Sequence, residues 1–377
     1  RIGECNLREA GRAVGCGICL FAIVAAVVTV VMLLAAPQTA AIMHAPVDAF
    51  SGTVAYTRIC SAGAVFIVAY NILGSIFRGI GDSVMPLITV LIACICNIAG
   101  DLLLVGGFHM GVAGAAYATV AAQAISVALS LILIRRRKLP FTLERGDIRP
   151  DAALIRQILR LGSPVALQDL LVSLSFLAII GIANSMGTVP SAGVGVAEKL
   201  CAFVMLVPSA YMQSMSSFVA QNMGAGNPIR AKKALKYGIL TSVAAGLVMA
   251  LLTFFHGDLL SAIFSPDPEV VAASHSYLKA YAIDCMLTPF LFCFTGYYNG
   301  CEKTLFVMIQ GIIGAFFVRI PVAYLMSRMA GATLFQIGLS TPASSVVQIL
   351  LCLSMFLFLE RRSAGQSHAS LKGSADP

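Results

Sequence analysis

The chain has 377 residues, of which 59% are hydrophobic and only 11% charged, with no tryptophan. That balance excludes an ordinary soluble domain, because the apolar runs are too long and too many to share one buried core. A net charge of +8 would suit nucleic acid, but its distribution along the chain argues against that and for membrane topology.

Ten apolar runs near the length needed to cross a bilayer are predicted, at 14–35, 51–74, 84–106, 113–134, 164–186, 192–216, 234–255, 276–298, 304–327 and 336–359. When the loops are assigned alternately to two sides, Arg8, Arg12, Arg78, Arg135, Arg136, Lys232, Lys233, Arg361 and Arg362 fall together. Asp48, Asp258, Asp267 and Glu269 fall opposite. The positive-inside rule makes the basic side cytoplasmic, along with both ends of the chain.

In chain order, Asn6 with Glu9 three residues later fits a capping box that opens the first span. Cys16 and Cys19 have a redox spacing but no βαβ context, so they read as packing residues, as do most of the eleven cysteines. Asn97 and Asp101 share a helix face near the outer end of the third span, as a polar helix contact or part of a pathway. Residues 1–135 form an N-terminal bundle and 136–163 a polar connector. Within it Asp151 caps a short interfacial helix whose Leu154, Ile155, Ile158 and Leu159 face one way. Residues 164–360 form a six-helix C-terminal bundle, followed by a cytoplasmic tail at 361–377.

Ionisable groups inside spans are costly and therefore candidate functional residues. Gln168 and Asp169 lie in the inner third of the fifth span, where no in-span cation shares their depth. Such a carboxylate suits reversible proton binding or cation coordination, or else snorkels to the interface. Glu198 and Asp284 lie in the outer half of the bilayer, at levels near Lys199, Lys279 and Arg319. Glu198 cannot face Lys199, because adjacent helical residues point about 100° apart, so it needs another partner or water. Asn227 then Pro228 reads as a helix cap followed by its first residue. Pro208, Pro289, Pro321 and Pro342 lie inside spans of the second half and predict bent helices there.

The chain also repeats itself. Ile2-Gly3-Glu4-Cys5-Asn6 aligns with Met223-Gly224-Ala225-Gly226-Asn227 at an offset of 221 residues (223 − 2), and the register holds for Tyr56 with Tyr277, Phe77 with Tyr298 and Gly79 with Gly300. Duplicated halves are a signature of secondary transporters, with the substrate site between the repeats. Pro164, where the second copy starts, has its counterpart before Arg1, so the first copy is expected to lack roughly two spans and the chain to be an N-terminally truncated fragment.

Four groups of residues carry a resemblance: Gln221-Asn222-Met223-Gly224-Ala225-Gly226-Asn227 with Arg230-Ala231, Gly162-Ser163-Pro164 opening the fifth span, Gly111-Val112-Ala113-Gly114-Ala115-Ala116 with Ala118-Thr119, and Phe77-Arg78-Gly79-Ile80-Gly81-Asp82. In their order and spacing the chain resembles the bacterial branch of the multidrug and toxic compound extrusion (MATE) family. The resemblance implies an all-α polytopic membrane protein of two pseudo-symmetric helical bundles, with twelve helices when intact and ten present here. It implies a monomer among membrane lipids in the bacterial inner membrane, which exports bulky, often cationic amphiphiles by antiport with H⁺ or Na⁺. It further implies coupling acids on the seventh and tenth helices of the intact fold, which here carry Asp169 and Asp284. In many members the seventh-helix acid falls a turn later, near Val172.

The expected ion-coupling and substrate residues are therefore Asp169, Asp284, Glu198, Gln168, Asn97 and Asp101. No cofactor, metal site, nucleic-acid partner or enzymatic activity is expected, since the five histidines are dispersed and no HExxH or nucleophile elbow appears. The alternative is a flippase for a lipid-linked oligosaccharide, which calls for a strongly basic cavity.

Overall fold

The computed structural model describes residues 1–42, 46–136, 139–141 and 143–373. Arg137, Lys138 and Thr142 of the expected connector, and the last four residues of the tail, lie outside them. Among the described residues every regular element is helical. The spans, labelled here α1 to α10, are Leu7–Ile42 (α1), the pair Val47–Ala62 and Ala64–Ile80 (α2), Val84–Gly107 (α3), Gly111–Arg136 (α4) and Ala152–Asn184 (α5). They continue with Thr188–Gly224 (α6), Pro228–Ala262 (α7), Pro268–Gly300 (α8), Thr304–Ser327 (α9) and Leu334–Arg362 (α10). The two helices of α2 meet at Gly63 with a bend of 52°. The ten predicted spans thus correspond one to one with helical segments, and the helices overrun the predicted limits because their polar ends continue past the apolar stretch.

The chain divides into two compact units, Arg1–Leu159 and Arg160–Pro377. In the first, α3 and α4 approach closely through small residues: a Cβ placed on Gly100 would lie 2.9 Å from the Ala118 methyl, and one on Gly114 would lie 3.1 Å from the Leu104 carbonyl. Membrane helices gain packing contact this way, since lipid supplies no hydrophobic drive between them. Long apolar side chains such as Val27, Val30 and Leu34 point outward, as lipid-facing positions require. The residues before α5 dock on the polar start of α1. Arg8 pairs with Glu144 at 3.0 Å, Arg12 with Asp151 at 3.0 Å, and Gly15 leaves room for the Asp147 carbonyl.

The second unit is organised around α8, which is mostly buried, whereas every other span keeps most of its apolar stretch outward. Glycines let its neighbours touch its backbone or lie against theirs: a Cβ on Gly246 of α7 would sit 2.6 Å from the Cys285 carbonyl, one on Gly300 2.7 Å from that of Ser216 on α6, and one on Gly338 of α10 3.0 Å from that of Tyr277. Tyr277, Leu278 and Tyr281 pack with Ile179, Val194 and Ile337 in one core, and Tyr298 with Val219, Val307 and Cys352 in another.

Prolines disturb these helices in different ways. α6 breaks at Met205, three residues before Pro208, and α10 breaks at Leu339, three before Pro342. In α9 a π turn at Ile313–Arg319 precedes Pro321, which cannot donate to Phe317 four residues back. Pro289 stays within continuous α8 but leaves the Cys285 carbonyl without an i+4 donor. Pro164 departs from expectation. α5 runs unbroken from Ala152 through it, so there is no separate interfacial helix before the fifth span. A single missing bond does not end a helix whose apolar pattern continues on both sides. Asp151 does cap its start, accepting from the Ala153 and Leu154 N–H groups at 2.9 and 3.2 Å.

The repeat extends to backbone detail. Cys5 and Gly226, at equivalent positions, are both left-handed, with φ 55° and 68°. The Asn6 N–H bonds the Arg1 carbonyl at 3.1 Å, and its counterpart Asn227 N–H bonds the Asn222 carbonyl at 2.8 Å. Gly81 and Glu302 form a second equivalent left-handed pair. These long-range closures resemble the helix-ending turns that satisfy free carbonyls. Asn227 caps α7 through the Arg230 N–H at 3.2 Å, and Asn6 caps α1 through that of Glu9 at 3.2 Å. The predicted reciprocal half of the box at Glu9 does not form. The Asn6 N–H is already bonded to Arg1, and the Glu9 carboxylate pairs with Arg12 at 2.5 Å.

Candidate ion-binding cluster

Within the second unit, α5, α6, α8, α9 and α10 each contribute polar side chains to one buried cluster. Asp284 of α8 is 2% exposed, Arg319 of α9 is 6% exposed, and Ser175 of α5 is fully covered. The π turn ends at Arg319, which donates from Nη1 to the Ser175 hydroxyl at 3.1 Å and lies 4.4 Å above the Phe176 ring. α5 therefore clamps the guanidinium by one hydrogen bond and one cation–π contact. Its Nε has no partner.

The Asp284 carboxyl accepts from the Thr288 hydroxyl, one turn on, at 3.1 Å through Oδ2, and Ser345 of α10 adjoins it. Its Oδ1 is buried without a partner. Glu198 of α6 is half-buried, and its Oε1 is likewise buried and unpartnered. Both carboxylates lie within electrostatic reach of Arg319, yet neither closes to 4.0 Å of it as an ion pair. Buried polar atoms are ordinarily satisfied, so three orphaned atoms on three charged groups make this cluster a candidate site rather than a finished structural bridge. Lys199 turns the other way, 6.0 Å from the Phe264 ring, as the angle between adjacent helical residues requires.

The structure thus brings Asp284 and Glu198 together around an arginine. Asp169 lies outside the cluster, with an exposed side chain on α5 and its carbonyl bonded by Ser173. Gln168 packs on α9 at Gly311, about two turns before Arg319. Arg319, Ser175, Thr288 and Ser345 join the cluster without having been singled out as site residues. Pro321 was the available signal, since it predicts a disturbed helix where the arginine emerges.

A smaller polar group occurs in the first unit. Asn97 of α3 donates to the Thr119 hydroxyl of α4 at 3.4 Å, while Asp101, one turn on, keeps a buried, unpartnered Oδ1. A π turn at Leu102–Gly107 follows at once, and Gln123 of α4 has a buried, unpartnered Oε1. Tyr56 of α2 faces both Asp101 and Thr119. The shared helix face expected for Asn97 and Asp101 leads to a contact between α3 and α4. Among the described residues, no three His, Cys, Asp or Glu side chains cluster as metal ligands would.

The family model MatE matches residues 1–103 and 164–325. The chain is 25% identical over 328 residues to the probable multidrug resistance protein YoeA of Bacillus subtilis, covering 85% of this chain and 71% of that protein. It is 26% identical over 315 residues to the multidrug export protein MepA of Staphylococcus saprophyticus, covering 82% of this chain and 68% of that one. Among solved structures, an outward-facing multidrug resistance MATE family transporter of the MOP superfamily superposes with a TM-score of 0.89 at 20% identity, over 98% of this chain and 82% of its own.

Proposed function

The chain belongs to the MatE family, and from that premise we propose that it is a secondary transporter of the bacterial cytoplasmic membrane that exports amphiphilic, often cationic compounds by antiport with H⁺ or Na⁺. The observation that carries this reading is the cluster of two carboxylates facing one arginine inside the second unit, with Asp284 Oδ1 and Glu198 Oε1 unpartnered. Ionisable groups left incomplete within a membrane span are expensive and are kept where an ion passes. Asn97 and Asp101 serve as a second polar station in the first unit, and Asp169 as an accessible acid for substrate or ion.

In this reading the lobes 1–135 and 164–360 alternate between inward- and outward-open states, joined by the connector at 136–163, with both termini cytoplasmic. Ion binding at the cluster biases that equilibrium, and export uses the difference in affinity between the two states. The protein works as a monomer among lipids without a cofactor, and performs no covalent chemistry. The flippase alternative calls for a basic cavity, whereas this cluster has more acids than bases.

The test is export of a fluorescent cationic dye from cells producing the protein. Collapse of the ion gradients should abolish export, and Asp284→Asn and Glu198→Gln should each reduce it. Export that persists in both variants would remove the cluster from the mechanism.

A further inference from the structure

We propose that Arg319 is a tethered internal cation that restricts the carboxylate pair of the second unit to protons and denies it to sodium. The proposal rests on the reading that this cluster handles the coupling ion, and goes beyond it by naming the ion and the residue that selects it.

Three observations support it. First, Arg319 is fixed in place: 6% exposed, bonded to Ser175 at 3.1 Å and stacked 4.4 Å from Phe176, at the end of a π turn that Pro321 enforces. A guanidinium held in this way cannot swing clear to make room for a second cation. Second, the charges do not balance. Asp284 and Glu198 present two carboxylates to one permanent positive charge, so the set takes up one monovalent cation to reach neutrality, and the choice between proton and sodium falls to the geometry of its free oxygens. Third, the free valences suit a proton. Asp284 Oδ1 and Glu198 Oε1 each stand alone as acceptors, and one oxygen is enough to hold a proton. Sodium needs several oxygens turned toward one point, and here that point faces a like charge in a medium where charges interact strongly.

The neighbouring groups leave this count intact. α6 adds Cys201 beside Glu198, and α8 adds Tyr277, Tyr281 and Cys285. All four are groups whose unperturbed forms are uncharged at neutral pH. α5 presents Ser175 and Phe176, and α10 presents the hydroxyls of Thr341 and Ser345, none of which carries charge. The nearest additional cation on α6, Lys199, is directed at Phe264. Arg319 is thus the one positive charge that the two carboxylates face among the described residues.

The experiment measures radioactive sodium binding to the purified full chain in lipid nanodiscs at neutral pH. Wild-type protein should show no sodium binding that depends on Asp284, and Arg319→Lys, which keeps the charge, should match it. Arg319→Gln keeps the hydrogen bonding but removes the charge, and should bind sodium at least roughly tenfold more tightly. Adding Asp284→Asn to it should abolish that gain.

Asp284-dependent sodium binding by the wild type would overturn the proposal, as would a folded Arg319→Gln variant that remains blind to sodium. Should Arg319→Gln fail to fold, proton uptake by the wild type decides. The part of its acid titration that Asp284→Asn removes should be the same with or without sodium, and displacement by sodium would defeat the idea. Dye export separates this proposal from the reading beneath it. If Asp284→Asn still exports, the cluster is not the coupling site, whatever ion it binds.

Discussion

The helices α2 and α8 occupy equivalent places in the repeat, yet at one shared position they have taken opposite courses. Asp284 stands in the middle of continuous α8, and its counterpart is Gly63, where α2 bends by 52°. The partner tyrosines diverge as well. Tyr277 is 1% exposed and Tyr56 39%. The aspartate of α8 is enclosed by α6, α9 and α10, whereas the glycine of α2 admits α4, with Val120 methyls 2.5 Å from where its Cβ would be. A duplicated fold thus preserves its turns and caps while its charge and its bend are reassigned. Backbone closures depend on local geometry, which both copies keep, whereas a buried charge depends on the enclosing side chains.

The contrast can be tested most severely at its charged position. Asp284→Asn should lower dye export by about 5–150-fold, the range of a coupling free energy of about 1–3 kcal/mol, whereas Asp101→Asn in the first unit should have the lesser effect. Equal losses would show the two polar groups to be equivalent after all. Packing gives the next effect. Gly246→Ala drives a methyl into the Cys285 carbonyl and Pro289 and should cost about 1–3 kcal/mol, read from thermal unfolding in detergent. Gly63→Ala drives a methyl against both methyls of Val120, a β-branched side chain whose rotation cannot clear them, and should cost a comparable amount.

The caps should respond alike in the two units. Asn6→Ala and Asn227→Ala each remove one side-chain acceptor and should each cost about 1 kcal/mol in the same measurement. A large difference between them would show that the repeated loops carry unequal loads. The smallest effect belongs to the connector. The Leu154 and Ala153 N–H groups, and more weakly Arg12, hold the Asp151 carboxyl below its ordinary range. A depressed acid contributes stability above its unfolded value of about 4, and that contribution is lost as pH falls through the folded value. Limited proteolysis of the segment before α5 should therefore accelerate below about pH 4, and Arg12→Ala should bring the same change at slightly higher pH.

Much of this was legible in the residues because it is local. Span length, apolar composition and the Asn-Pro and Asn-x-x-Glu patterns act within a few turns, and they located the ten spans and both caps. The rest was not legible, because it depends on how helices continue and on what they meet. Pro164 looked like a helix start, but only one bond is at stake there and α5 continues through it. Asp169 stands out in the sequence for its depth and through the family resemblance, and neither says which way a side chain points; on α5 it is exposed, outside the cluster. Arg319 was one of several in-span cations until Ser175 and Phe176, some 144 residues away in sequence, fixed its direction. The connector had no motif to show that Arg8 and Arg12 would dock it.

Pro289 has one more consequence. Because it leaves the Cys285 carbonyl without its helical donor, α8 loses a rung of its hydrogen-bond ladder in the residue directly after Asp284. Those rungs help to hold a helix straight, so the rod has one restraint fewer at that joint. In mechanical terms the helix carries its charge beside a missing rung, where its backbone has one hydrogen bond fewer to hold its line.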